Sequence, residues 1–138
     1  MPDILKTAAP LGRVLIAAIF VVSGLGKLSA YAGTQAYMKS AGVPGDLLPL
    51  VILVEVAAGL VIIVGWQTRL AALALAGFSI AAALLFHSDL TDQIQSVMFM
   101  KNLSIAGGLL ILAANGAGTW SLDDRQQAQT GEPIELRS

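Results

Sequence analysis

The chain contains no cysteine, so its own residues can build neither a disulfide, a thiolate metal site, a cysteine nucleophile nor a thiol redox relay. Any redox role must therefore draw on a bound cofactor or a partner. There is one histidine, His87, and no HExxH-type ligand spacing, so no metal centre is expected. A glycine-rich phosphate loop is also missing, which argues against nucleotide chemistry. Charge is scarce at 12% of residues, with 8 basic against 9 acidic side chains and no Lys/Arg block. That balance argues against nucleic acid as a partner, and against a protein held electrostatically at a membrane surface.

What the chain has in abundance is apolar surface. Hydrophobic residues make up 56% of its 138 positions, beyond the usage of ordinary soluble domains. Four apolar segments, 11–28, 47–66, 70–86 and 97–114, are each long enough to cross a hydrocarbon core of about 30 Å as a helix. The expected fold is an all-α integral membrane protein, an antiparallel four-transmembrane-helix bundle over residues 1–122, with the lipid bilayer as its first partner. Residues 123–138, rich in Asp, Gln and Thr, are expected to form a mobile cytoplasmic tail. A cleaved leader is the competing reading of the first segment, since Lys6 and Arg13 precede an apolar run and Ala30-Tyr31-Ala32 has an A-x-A pattern. Lys27 interrupts the approach to that site and three more spans follow, which favours an uncut first helix.

Between the first two spans, residues 29–46 leave room for a short surface helix with Tyr31, Tyr37 and Met38 as interfacial anchors. Trp66 and Trp120 fit headgroup-level anchors, and Ser121 to Asp124 has the pattern of a capping box. Lys6, Arg13, Arg69 and Arg125 fall on one side of this topology and Lys27, Lys39 and Lys101 on the other, so both termini are expected in the cytoplasm.

Glu55 carries the main functional signal. It is the one charged residue in 47–66, where thirteen others are Leu, Ile or Val. A central carboxylate costs about 3 kcal/mol on insertion scales, while thirteen such residues return about 4 to 8 kcal/mol, so the segment inserts regardless. An acid at that depth needs a partner, a water-filled cavity or a proton; it marks a site or pathway, or else a structural ion pair that fixes register. The topology brings Lys27, Glu55, His87, Lys101 and Asn102 to the same half of the bundle. Glu55 lies about 12 Å below the start of its span and Lys101 about 6 Å below the start of the fourth, a difference that a lysine stem can bridge. The expected polar cluster joins Glu55 to Lys101 or Lys27 and is closed by Asn102 and His87. Glu55 and His87 are the candidate catalytic groups. Ala58 and Gly59 share the face of Glu55, where small residues let another helix approach.

The stretches LGRVLIAAIFVVSGLGKL, AGVP from Ala41, VEVAAGLVIIVGWQTRLAAL around Glu55, LLFH ending at His87 and MFMKNLSIAGGLL from Met98 together resemble the DoxX family of small four-helix bacterial membrane proteins. On that resemblance Arg13, Lys27, Glu55, His87, Lys101 and Asn102 fall on the family's polar positions. It implies a multi-pass protein of the bacterial inner membrane, similar to small subunits of thiosulfate:quinone oxidoreductases and other membrane redox complexes. Three functions follow as expectations. The first is a redox-associated subunit whose polar cluster binds a quinone or a small anion, in a redox enzyme complex. The second is a non-catalytic helper that organises other membrane proteins. The third is a small proton-coupled transporter acting as a homo-oligomer.

Overall fold

The computed structural model describes residues 3–130, and every regular element among them is helical. Four long helices run alternately up and down: α1 (Asp3–Ser29), α3 (Leu48–Val64), α4 (Thr68–Phe86) and α5 (Gln93–Asn115). A short α2 (Tyr31–Ser40) and the 3₁₀ turn Gly45–Leu47 link the first two, and α6 (Leu122–Thr130) follows the last. With that turn counted into α3, all four are long and apolar enough to cross a membrane. Their outer faces carry the large side chains: Val22 and Leu70 are each 69% exposed, and Leu15, Leu53 and Ile111 stand out similarly. The interior is rich in small ones, with Ala17, Ala72, Ala76, Ala83 and Ala106 buried beside Leu48, Ile62, Leu75 and Leu109. A soluble bundle would invert this pattern; a bundle solvated by lipid gains nothing by hiding leucine and instead packs small residues at helix contacts.

The helices pair as α1 with α3 and α4 with α5, while α1 and α5 touch sparingly. Glycine sets the closest approach in the first pair. A Cβ on Gly24 would lie 2.5 Å from Val56 Cγ2, and one on Gly59 would lie 2.8 Å from Val21 Cγ2. Gly108 of α5 meets Ile16 of α1 in the same way, at 2.8 Å. Gly26, Gly77 and Gly107 face open space, so small-residue packing explains some of the glycines and not others.

The end of the bundle that holds the α3–α4 turn and α6 is closed by polar bonds. Pro10 has no N–H for the Lys6 carbonyl one turn earlier; the Thr119 hydroxyl donates to that oxygen instead, at 2.8 Å. The buried Arg13 guanidinium donates to the carbonyls of Ala117 (2.7 Å) and Trp120 (2.8 Å), which ties the loop after α5 to α1. Gly65 ends α3 in the left-handed region (φ 73°), with Gly65 N–H on Ile62 O and Trp66 N–H on Val61 O. Gln67, which precedes α4, has no capping side-chain bond of its own. The carboxylate of Asp123 takes that role, accepting from the N–H groups of Gln67 (2.9 Å) and Thr68 (3.0 Å). Arg69 donates to Ala114 O (2.9 Å) at the end of α5.

Two expectations change here. Residues 122–130 are helical rather than an unstructured tail: Ser121 Oγ accepts from Asp124 N–H to start α6, and Asp123 is held against α4. The remainder of the expected tail, 131–138, lies outside the described residues. Met38 is not an interfacial anchor. It is buried with Leu48 and Ile52, because α2 lays one apolar side on α3.

Candidate functional site

At the opposite end from the Asp123 cap, the helices enclose a cavity of about 430 Å³. Its walls are mainly apolar. α1 contributes Phe20, α3 Val51, α4 Phe78, Ala82 and Phe86, and α5 Ile105, while Tyr37 and Met38 of α2 lie over the end. Phe20 and Phe78 meet edge-to-face at 6.5 Å, linking α1 to α4 within the cavity wall. Tyr37 stacks on Phe86 with ring centroids 5.4 Å apart, so α2 is pinned to the end of α4.

Polar groups enter from both helix pairs. On the α1–α3 side, Lys27 Nζ donates to Ser23 Oγ (2.7 Å), Glu55 Oε1 (2.9 Å) and Glu55 Oε2 (2.8 Å), so the three ammonium hydrogens meet three acceptors. The local sequence makes this geometry: Ser23 and Lys27 stack one turn apart on α1, and Gly24 between them leaves the gap that Glu55 fills. A Cβ on Gly24 would lie 3.3 Å from Glu55 Cβ and 3.4 Å from its Oε2. The Glu55 side chain is 4% exposed and that of Lys27 24%, so this is an ion pair withdrawn from solvent, with the cation nearer the surface. From the α4–α5 pair come His87, where α4 ends, and Asn102 of α5. His87 Nδ1 is 3.3 Å from the Gln95 side-chain amide, at Oε1. Asn102 Nδ2 donates to Met98 O at 3.0 Å, one turn back along its own helix.

Of the five residues expected to cluster, Lys27, Glu55, His87 and Asn102 line the cavity. Lys101 does not. It is exposed, and Lys27 is the cation that meets Glu55. Lys101 lies about 100° from Asn102 around α5, beyond the edge of the arc that faces inward. The inward seam runs through Asn102, Ile105, Ala106 and Leu109, and leaves Lys101 outside. Arg13, the other polar position implied by the family resemblance, serves the closure at the far end. A second, more polar cavity of about 310 Å³ lies there, beside Arg69, Asn115 and Asp123.

Several contributors were not foreseen from the sequence. Gln95 as the partner of His87, and Tyr37 and Met38 as a cover, have no local signature; they depend on how α2 and the 87–92 loop dock. In that loop Asp92 caps α5 by accepting from Ile94 N–H (2.9 Å) and Gln95 N–H (3.2 Å), which fixes the turn that carries Gln95. Asp89 stays exposed, and the hydroxyl and N–H of Thr91 hold its carboxyl below the usual carboxylate range.

A family model described as DoxX matches residues 8–88, which takes in most of α1, all of α2 to α4, the Glu55–Lys27 pair and His87. Inner membrane protein YqjF of Escherichia coli (strain K12) is 51% identical over 111 residues, 80% of this chain and 85% of that protein. Inner membrane protein YphA of the same organism is 35% identical over 122 residues, 83% of this chain and 87% of that one. No solved structure matches the chain.

Proposed function

The chain belongs to the DoxX family, and on that premise we propose that it is a multi-pass inner-membrane protein, associated with redox enzymes, whose cavity holds the ring of a quinone. One observation carries the reading: an apolar chamber takes polar groups from both helix pairs, Ser23, Lys27 and Glu55 from α1 and α3, and His87 and Asn102 from the end of α4 and from α5. A ring with oxygen atoms at both ends needs that arrangement, apolar walls for its faces and hydrogen-bonding groups at its edges. The volume lies within the ~300–1,000 Å³ of small-molecule sites. When bound, a quinone supplies reversible uptake of electrons and protons. On this chain, Glu55 inside the cavity and His87 at the end of α4 are the groups able to hold or move a proton at its rim. The same reading assigns both termini to the cytoplasm, because Lys6, Arg13, Arg69 and Arg125 fall on that side against Lys27, Lys39 and Lys101 on the other.

The test is purification of wild type and Glu55→Gln in mild detergent, with lipid-soluble extracts and copurifying proteins identified by mass spectrometry. A stoichiometric quinone in wild type that is lost in the variant is the expected result. A second reading, a non-catalytic helper, draws support from the saturation of the Lys27 ammonium by Ser23 and Glu55, as in a purely structural pair. A stable protein partner, with no small molecule in either preparation, would establish that reading in place of the first.

A further inference from the structure

We propose that the cavity is loaded from the bilayer through a side window between α3 and α4, and that its ligand is a ring-headed amphiphile whose long apolar tail lies in that window. The inference rests on the reading of the cavity as a ring-binding site. α3 and α4 are joined by the tight turn at Gly65–Gln67, and at the α2 end residues of both line the chamber. There the cavity wall is at once lining and outer surface: Leu47, entering α3, is 45% exposed, Leu85 of α4 is 51% exposed, and Ala81 is exposed one turn below it. On α4, Phe78, Ala81 and Leu85 fall on a side apart from the buried seam of Ala72, Ala76, Ser79 and Ala83. The helix thus offers one face to the bundle and a second to the chamber and its opening.

The approach from water differs. α2 lies across the end of the chamber with Met38 buried beneath it and Tyr37 stacked on Phe86. A polar solute coming from the aqueous side meets this apolar cover, whereas a solute already in the hydrocarbon meets an open apolar flank. Glu55 is eight residues along the helix from Leu47, about 12 Å at 1.5 Å per residue and towards the bilayer centre. A head that reaches Ser23, Lys27 and Glu55 is therefore at hydrocarbon depth, and its attached chain has the exposed lining residues Leu47, Ala81 and Leu85 as its way out to lipid. Such a ligand transfers its tail from bilayer to window at little cost, and needs the protein to recognise only its head.

Photolabelling of the full chain in phosphatidylcholine nanodiscs tests this with two probes. One is a benzoquinone with a photoreactive diazirine on the ring and no tail; the other is a decyl-tailed benzoquinone with the diazirine at the end of the tail. Adducts are mapped by mass spectrometry, and only those lost in the presence of excess unlabelled decyl-tailed quinone are counted. The expected result is ring-probe labelling within the chamber, near Phe20 and Ile105, and tail-probe labelling at Leu47, Ala81 and Leu85. Ring labelling in the chamber with tail labelling on the opposite seam, near Ile19, or on the aqueous face of α2 would overturn the window and leave the cavity reading intact. No competable ring labelling in the chamber would overturn both.

Discussion

Removing Lys27 isolates the energetic role of the buried pair. In Lys27→Met the Glu55 carboxylate, 4% exposed, loses its counter-charge and two of its hydrogen bonds while the helix keeps it in place. Breaking a buried pair from one side costs about 3–5 kcal/mol, and because Glu55 lines a cavity the loss is expected at the lower end, about 3 kcal/mol. Glu55→Gln is milder, about 1–2 kcal/mol, because Lys27 is 24% exposed and can swing its ammonium towards the headgroups. The double variant buries no charge, so it should cost no more than about 2 kcal/mol, and the two sites should couple by about 2–3 kcal/mol. The assay is SDS-driven unfolding in mixed micelles, followed through the fluorescence of Trp66 and Trp120, for wild type, both singles and the double. Neutral hydrogen bonds between transmembrane helices average nearer 0.6 kcal/mol, so the expected coupling lies above that background. A coupling below about 0.5 kcal/mol, within the scatter of additive sites, would refute the argument: the short Nζ–Oε distances would then carry no net stabilisation.

Three further outcomes are expected. Gly24→Leu should destabilise the bundle by about 1–3 kcal/mol through overpacking against Val56, whereas Gly107→Ala, which faces open space, should leave the same unfolding midpoint unchanged or slightly raised. Thr119→Val should cost about 1 kcal/mol by leaving the Lys6 carbonyl unpaired, and Pro10→Ala in that background should recover part of the loss by restoring an N–H one turn away; absence of recovery would detach Thr119 from the proline. The Asp89 carboxyl should titrate below an unstructured aspartate by NMR, and Thr91→Val should move it back up. Because the folded value is the lowered one, its small contribution to loop order holds at neutral pH and disappears as pH falls through that value.

The spans were legible because lipid imposes a length and a polarity on each segment, and neither depends on tertiary detail. The depth of Glu55 and its nearness to Lys27 followed from counting residues along antiparallel helices. The choice between Lys27 and Lys101 did not: both sit at suitable depths, and rotation of α5 about its own axis decides between them, a quantity set by how Ala106 and Leu109 pack. Small residues abound in the chain, so spacing could not tell Gly24 and Gly59, which set a helix contact, from Gly77 and Gly107, which touch nothing. Met38 and Asp123 were misplaced for a related reason. Each looks like a surface residue in its own segment and takes its role from another element that packs against it.

The cap that Asp123 places on α4 orders the birth of the protein. Helix α4 leaves the ribosome some fifty-five residues before the side chain that satisfies its first N–H groups, and Arg13 waits longer still for the carbonyls of Ala117 and Trp120. Until the end of the fourth span has been made, the α1–α3 and α4–α5 pairs have their apolar contacts but no clasp between them. At this end of the bundle it is the segment after α5, made after all four long helices, that locks the two pairs together.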